Sequence, residues 1–196
     1  IRPARESDIP DILRLVSDHA RRGDMLPRTA LSIRETLDNW LVGKDADGDI
    51  VACVSLLYYT PALAEVRSLA VADKVKGQGW GRTIIKTLIT QARKDGVPTL
   101  FALTRAVAFF QKAGFAITNK ERFPEKVWRD CQFCPIVDAC DETAVVLRLN
   151  EPPADYLVTH DIPQRDHFPH HLPIPLPAVQ TISPPLKGDL PMSKPK

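Results

Sequence analysis

The chain has 196 residues, 44% of them hydrophobic, and a formal net charge of +2. This length predicts one domain of ordinary size with an additional segment, and the apolar fraction is sufficient for a hydrophobic core. The small net charge argues against binding to nucleic acid or to an anionic membrane surface, and no apolar run is long enough to span a membrane.

The first sixty residues predict a strand, two helices and a β-hairpin. Ser7 is a typical helix cap, and apolar residues recur at helical spacing after it. Ser32 and Glu35 have the spacing of a capping box, which predicts the start of a second helix. A polar Asp/Gly-rich turn at 44–49 predicts a hairpin between two apolar runs. In chain order, we predict a strand at 1–4, helices from 7 and from 32, and strands at 40–43 and 50–59.

The most informative stretch runs from residue 65 to 81 and combines a strand (65–71), a glycine-rich turn (76–81) and a helix that extends through Lys94. Three glycines within five residues allow close backbone approach and positive φ angles. The helix start directs free N–H groups and the positive end of its dipole toward the turn. These features predict an anion site, and a pyrophosphate is the natural ligand. The P-loop and dinucleotide patterns both fail, because the glycines are spaced G-x-G-x-G.

The sequence after this helix predicts the remaining strands and helices of the domain, followed by a C-terminal segment of different composition. An apolar fifth strand at 97–104 is expected in the centre of the sheet. A short helix at 105–113, strands at 114–117 and 142–149, and an irregular stretch at 119–141 complete the predicted domain, residues 1–150. Eleven of the last 46 residues are proline, so residues 151–196 are predicted to be an extended or disordered tail.

The four cysteines fall into two groups. Cys53 lies in an apolar strand and is expected to be an inert core residue. Cys131, Cys134 and Cys140 cluster in the irregular stretch, and three interpretations are open: packing beside a pocket, a zinc site completed by Asp141 or a tail histidine, or a redox pair. The spacing does not indicate a secreted disulfide framework, so we expect a cytoplasmic protein.

The turn Lys76-Gly77-Gln78-Gly79-Trp80-Gly81 resembles the acetyl-coenzyme A loop of the GCN5-related N-acetyltransferases (GNATs), Q/R-x-x-G-x-G/A, with Lys76 in place of Gln or Arg. The segment 109–115 resembles the late F-Y-x-x-x-G-F signature of that family. The resemblance covers residues 1–150 and implies an α/β (α+β) GNAT fold, a mixed, mostly antiparallel sheet that splays between strands 4 and 5. The cofactor-binding residues that it implies are Leu69, Ala70, Val71, Lys76, Gly77, Gln78, Gly79, Trp80, Gly81, Arg82 and Phe110.

The segments 25–28, 65–71, 103–104 with 109–110, and 124–131 with 140–142 look like those of the short, single-domain bacterial N-acetylglutamate synthases. This narrower resemblance implies transfer of acetyl from acetyl-CoA to the α-amine of L-glutamate, the first step of arginine biosynthesis. A dicarboxylate needs cationic partners, and arginine offers planar bidentate contacts. The implied acceptor-binding residues are Arg28, Arg67, Lys126 and Arg129. The only partner expected is the small-molecule substrate, with neither nucleic acid nor membrane; a homodimer is left open.

In such a fold the acceptor amine attacks the thioester carbonyl of acetyl-CoA directly. A backbone N–H near residues 68–71 holds the oxyanion that develops. Glu65 is the candidate general base; the alternative is a strand-end carboxylate paired with Arg67. Many members of the family have a tyrosine where Phe110 stands, so the thiolate either leaves unassisted or is protonated by Tyr58 or Tyr59. Other functions are also open: a different acceptor (another amino acid, a polyamine or a protein amine), or a catalytically silent acetyl-CoA-binding module.

Overall fold

The computed structural model describes residues 1–134 and 137–149. The predicted tail, residues 151–196, lies outside the described residues. The helices are α1 (Ile9–Arg21), α2 (Ala30–Glu35), α3 (Trp80–Lys94), α4 (Val107–Lys112) and α5 (Pro124–Arg129). The strands are β1 (Arg2–Pro3), β2 (Trp40–Lys44), β3 (Ile50–Thr60), β4 (Leu63–Val71), β5 (Thr99–Thr104), β6 (Ala116–Thr118) and β7 (Thr143–Arg148).

Within these residues, seven strands form one sheet in the order β1-β2-β3-β4-β5-β7-β6. Every neighbouring pair is antiparallel except β4 and β5, which run parallel. The predicted fold class is confirmed. In the described part of the chain, none of the helices has both the length and the apolar character that a membrane crossing requires.

Both faces of the sheet are covered by helices, because its strands alternate their side chains between two cores. On one face, α3 buries apolar residues that recur at helical spacing, including Ile84, Ile85 and Leu88, against the sheet. On the other face, α1 and α2 pack with Trp40 and Val42 of β2. The apolar face of α3 thus packs on one face of the sheet, and the alternating side chains of β2 contribute to the cores on both faces.

Several helix boundaries differ from the prediction. α1 begins at Ile9, with Asp8 rather than Ser7 at the N-cap position. α2 begins at Ala30, and Thr29 rather than Ser32 caps it: the Thr29 hydroxyl accepts from the Ser32 N–H at 3.0 Å, and the Ser32 hydroxyl accepts from the Thr29 N–H at 3.1 Å. The predicted capping box was wrong because this reciprocal pair occupies the earlier turn. Within the stretch predicted to be irregular, Pro124 begins α5, a position that proline favours.

The parallel strands β4 and β5 separate after a short pairing. Their aligned residues end at Glu65, opposite Phe101, although β4 continues to Val71 and β5 to Thr104. Beyond that point β5 keeps its pairing with β7 as far as Thr104. A cleft therefore opens in the sheet directly after Glu65.

Phe101 supports the closed end of this cleft. Its side chain is fully buried, and its ring stacks on that of Phe123, the residue before α5, at 4.0 Å between centroids. We expect Phe101→Ala to reduce the free energy of unfolding by about 3–5 kcal/mol, because it leaves a cavity beneath α5. Urea denaturation measures this. The exposed edge residue Ile117 is the control, with an expected loss of at most about 0.5 kcal/mol for Ile117→Ala; equal losses in the two variants would contradict the packing.

Candidate active site

A cavity of about 830 Å³ occupies the cleft between β4 and β5. β4 provides one wall, the glycine turn and α4 line one end, and α5 with the cysteine segment lines the other. The predicted site residues in its lining are Arg28, Glu65, Arg67, Leu69, Val71, Lys76, Gly81, Phe110, Lys126, Cys131, Cys134 and Cys140. The structure thus brings residues from five separate segments of the chain to one cavity.

The glycine turn has the backbone that its sequence predicts. Gly77 and Gly79 have φ angles of 80° and 87°, in the left-handed region that favours glycine. Gly79 is the N-cap of α3, a helix of 15 residues. The N–H groups of the first turn of a helix have no carbonyl within that helix to donate to, so those of Trp80, Gly81 and Arg82 are available to an anion.

At Gly81 the space is limited by side chains. A Cβ at this position would lie 3.2 Å from the Phe109 ring and 3.7 Å from Val71, so the helix start is packed closely against α4 and the end of β4. The turn, the helix start and the open edge of β4 together suit a ligand that carries a pyrophosphate and an extended arm. These are the features that coenzyme A requires.

A bulge interrupts β4 beside the cavity. Arg67 pairs with Ser55 and Ala70 with Cys53, so Ser68 and Leu69 lie opposite a single residue of β3. Ser68 has a φ of 50°, the only positive value for a non-glycine residue in the described chain. A bulge leaves its extra residue without a ladder partner, so backbone groups of β4 are free to contact a ligand here. The Ser68 hydroxyl accepts a hydrogen bond from Arg28 Nε at 3.2 Å.

A cluster of charged side chains lies at the point where the strands separate. Glu65, only 3% exposed, accepts from Tyr59 at 2.8 Å and is 2.9 Å from Lys126 Nζ. Arg67 Nε is 3.6 Å from the same carboxylate. Asp130 Oδ2 lies 2.8 Å from Lys126 Nζ and 3.0 Å from Arg67 Nη2. The cluster thus has Arg28, Arg67 and Lys126 as cations and two carboxylates, so one positive charge is unbalanced.

The electrostatics show that this corner of the cavity is rich in cations. Burial lowers the pKa of Arg28 to about 10, and repulsion by Arg67 adds to the effect. Burial opposes ionisation of Asp130, but Arg67 and Lys126 outweigh it and lower the pKa of this carboxyl. Arg67 Nη2 is buried, and despite the short approach of Asp130 its N–H bonds point at no acceptor among the described residues. An anion bound in the cavity would therefore offset the buried positive charge of both arginines.

Three predicted residues have positions that change their expected roles. Tyr58 lies on β3 outside the cavity lining, and its hydroxyl donates to Asp95 at the end of α3, at 2.7 Å. Arg129 also lies outside the lining, 5.8 Å from the centre of the Tyr59 ring. Phe110 lines the cavity but is 5% exposed and packs edge-on against Phe115, as a core residue does. The geometry therefore brings Tyr59, not Tyr58, to Glu65.

Two features of the site are not predicted from the sequence. Asp130 lies in the segment 124–131 but is given no role there, although it stands four residues after Lys126, the spacing of neighbours on a helix face. Ser68 belongs to the stretch 68–71 that is expected to hold the oxyanion, but the bulge at this residue is not predicted. No pattern in the sequence marks it, because a bulge is defined by the partner strand.

The three clustered cysteines are free and half-buried, and all of them face the cavity. Across residues 1–134 and 137–149, no group of three His, Cys, Asp or Glu side chains is arranged to hold a metal ion. The zinc interpretation therefore has no support there, and the tail histidine proposed as a fourth ligand lies outside the described residues. Cys53, as expected, is buried in the core, and burial raises the pKa of its thiol to about 12.

Comparison with known proteins agrees with this geometry. The model of the acetyltransferase (GNAT) family matches residues 12–115. The chain is 38% identical over 149 residues to an uncharacterized N-acetyltransferase of Chlorobaculum tepidum, covering 76% of this chain and 96% of that protein. It is 32% identical over 117 residues to an amino-acid acetyltransferase of Mycobacterium tuberculosis, covering 59% and 67% of the two chains.

Among solved structures, an N-acetylglutamate synthase from Neisseria gonorrhoeae, complexed with coenzyme A and N-acetyl-glutamate, matches with a TM-score of 0.68 and 24% identity. The match covers 76% of this chain and 34% of that chain. The chain likewise spans only 29% or 30% of the length of other amino-acid acetyltransferases that it matches. At this identity the structural match shows the fold alone. The family match, the relative from Chlorobaculum tepidum and the fold together establish that this chain belongs to the GNAT family of acetyltransferases.

Proposed function

We propose that the chain transfers acetyl from acetyl-CoA to the α-amine of L-glutamate. The observation that carries this proposal is the buried cluster of Arg28, Arg67 and Lys126 with only two carboxylates, in the cavity beside the bulge of β4. The names of the relatives support an amino-acid acceptor, and N-acetyl-glutamate is a ligand of the structural neighbour.

The charge of the cluster suits this acceptor. Glutamate at neutral pH has two carboxylates and one ammonium, so its net charge of −1 would balance the excess positive charge. Arg67 offers a buried Nη2 group without an aligned acceptor, and Arg28 is raised in energy by its desolvation. Arginine holds a carboxylate with two parallel hydrogen bonds, so either residue can fix the orientation of the substrate.

The chain's own residues provide the other requirements of the reaction. When bound, acetyl-CoA supplies an activated acetyl group to the amine. The turn at 76–82 would hold the pyrophosphate on its N–H groups, and backbone N–H groups of the β4 bulge would stabilise negative charge on the acetyl oxygen. A reaction between charged partners in a buried cavity depends strongly on such preorganised donors.

In the proposed reaction Glu65 accepts a proton from the ammonium of the substrate, which frees the amine for attack. Its two oxygens already contact Tyr59 and Lys126, but a carboxylate has about four lone-pair sites and so retains capacity for a third donor. Burial raises the pKa of Tyr59, with the charge of Glu65 adding to it, so this hydroxyl keeps its proton and remains a donor to Glu65. Tyr59 thereby fixes the carboxylate in position.

The reaction is proposed to take place in the cytoplasm, a reducing compartment in which the free cysteines persist.

The test is a screen of the purified full-length chain with acetyl-CoA and each of the common amino acids. Coenzyme A and acetylated product are quantified by chromatography with mass detection, which avoids thiol reagents that would react with the protein's cysteines. We expect glutamate to give the highest kcat/KM, with acetylation at the α-nitrogen. Absence of turnover with glutamate, or a faster reaction with an uncharged amino acid, would overturn the proposal.

Replacing the proposed base gives a second expected result. Glu65→Gln should lower kcat for glutamate by roughly 100-fold or more, since general-base catalysis typically contributes 10²–10⁴. Affinity for coenzyme A, measured by calorimetry, should remain unchanged because the glycine turn is intact. Glu35→Gln, at an exposed position at the end of α2, is the control and should react at the parent rate. A Glu65→Gln variant with parent kcat would remove Glu65 from proton transfer.

A further inference from the structure

Three thiols that the proposed reaction does not use lie at one end of the acceptor cavity. Cys131, Cys134 and Cys140 are free, half-buried and exposed to this cavity. Cys131 directly follows Asp130, the carboxylate that contacts both Arg67 and Lys126. A covalent bond formed by Cys131 therefore constrains the backbone next to Asp130, the carboxylate that contacts Arg67 and Lys126.

Cys131 and Cys134 are held close together by a turn. The Cys134 N–H donates to the Cys131 carbonyl at 3.0 Å, at the end of the 3-10 helix Cys131–Phe133. Residues i and i+3 of such a turn have Cα atoms less than about 7 Å apart, and disulfides join Cα atoms about 4.4–6.8 Å apart. This turn is therefore compatible with a disulfide between its two ends.

Cys140 has a cation beside its sulfur. Lys120 Nζ lies 3.2 Å from Cys140 Sγ and 3.4 Å from the Cys140 carbonyl oxygen. The neighbouring carboxylate of Asp141 is engaged by Arg105 at 2.6 Å, so it does not take Lys120 away. Cysteines that lie next to a cationic side chain are the ones that oxidants attack selectively. Burial, in contrast, raises the pKa of Cys131 and keeps that residue a thiol.

We propose that these three cysteines form an oxidation-sensitive site in which Cys140 reacts first and a Cys131–Cys134 disulfide is the product. The oxidant is a hydroperoxide: the Cys140 thiolate attacks one oxygen, an S–O bond forms, the O–O bond breaks, and hydroxide leaves. Cys131 then attacks the Cys140 sulfenic acid, so that an S–S bond forms and water leaves. The Cys134 thiol gives its proton to the hydroxide of the first step, which becomes water, attacks the Cys131 sulfur and releases Cys140 as a thiolate beside Lys120.

The net reaction consumes two thiols and one hydrogen peroxide and yields one disulfide and two waters. A dithiol reductant reverses it. Because the disulfide constrains the residue next to Asp130, oxidation is expected to disturb the contacts of Arg67 and Lys126 and to slow acetylation of the acceptor. This last consequence rests on the proposed function, whereas the thiol chemistry does not.

The chemical part is tested by mass spectrometry of the full-length chain treated with hydrogen peroxide. We expect a loss of two hydrogens that dithiothreitol reverses. Cleavage before Asp138 separates Cys140 from the other two cysteines, so the parent should yield an unlinked Cys140 peptide. In Cys134→Ser the exchange is blocked, and the Cys140 and Cys131 peptides should remain linked. Absence of a disulfide, or a different pairing in the parent, would overturn the proposal.

The order of events is tested by rates. Cys140→Ser should slow disulfide formation by roughly tenfold or more, because the sulfur beside the Lys120 ammonium is lost. Lys120→Met should slow it similarly, whereas Lys120→Arg should retain most of the parent rate because the cation is kept. Cys53→Ala is the control, since that thiol is buried elsewhere. Circular dichroism confirms that each variant is folded, and equal rates in Lys120→Met and Lys120→Arg would exclude the cation's role.

The catalytic part is tested by assaying the reduced and oxidised chain with glutamate. We expect oxidation to lower kcat/KM by roughly tenfold, because small displacements of positioning residues have effects of this size. Cys131→Ala treated in the same way should retain its activity better, since no disulfide can then form at residue 131. Full activity of an enzyme shown to contain the disulfide would overturn the link to the cavity. Inactivity of the reduced parent would instead contradict the proposed function and leave the mass measurement as the test of the thiol site.

Discussion

Replacing Gly79 with valine is expected to reduce the affinity for coenzyme A by about 100-fold or more. Gly79 has a φ of 87°, at which a β-branched side chain is a severe outlier, so the turn must change its backbone to accept valine. The change would misdirect the N–H groups at the start of α3. Loss of two charge-assisted hydrogen bonds to phosphate, worth about 1.5 kcal/mol each at least, corresponds to this factor.

Isothermal titration calorimetry with coenzyme A measures the effect. Gly96→Val is the matched control: Gly96 has a φ of 75°, a Cβ there would meet nothing within 4 Å, and it follows the opposite end of the same helix. It should carry a similar backbone strain and bind coenzyme A as the parent does. Undiminished affinity of Gly79→Val would show that the pyrophosphate lies elsewhere.

Replacing Arg67 with alanine is expected to lower kcat/KM for glutamate by roughly 30-fold or more, because a charge-assisted contact worth about 2–5 kcal/mol is lost and its partner charge stays buried. The side chain of Arg67 is only 9% exposed and lies between the two carboxylates of the cluster. Steady-state kinetics measure this effect. Arg67→Lys should restore little of it, since an ammonium cannot reproduce bidentate contacts.

The comparison of glutamate with glutamine identifies which carboxylate Arg67 contacts. If it contacts the side-chain carboxylate, Arg67→Ala should impair glutamine less than glutamate; if it contacts the α-carboxylate, both should suffer equally. Arg93→Ala, an exposed position in the last turn of α3, is the control and should leave kinetics unchanged. An unchanged kcat/KM in Arg67→Ala would remove this residue from the site.

Much of the fold could be predicted from the sequence because the relevant signals are local. The 3.6-residue period of α3, the polar turn at 44–49 and the glycine spacing at 77, 79 and 81 each depend on a few adjacent residues. The positive φ angles at Gly77 and Gly79 follow from the same local requirement. Boundaries that depend on competing caps were less predictable, as the choice of Thr29 over Ser32 shows.

The sequence alone also determined which residue types lie close together along the chain: a glycine-rich turn at a helix start, a glutamate and an arginine two residues apart on one strand, and thiols clustered in one segment. It could not determine which side chains meet. Tyr58 and Tyr59 are adjacent in sequence, but alternation along β3 sends one to Asp95 and the other to Glu65. The contact of Asp130 with Arg67 depends on how α5 packs against β4, and the bulge at Ser68 depends on how β3 pairs with β4. Residues that are far apart in the chain come into contact only when the sheet forms.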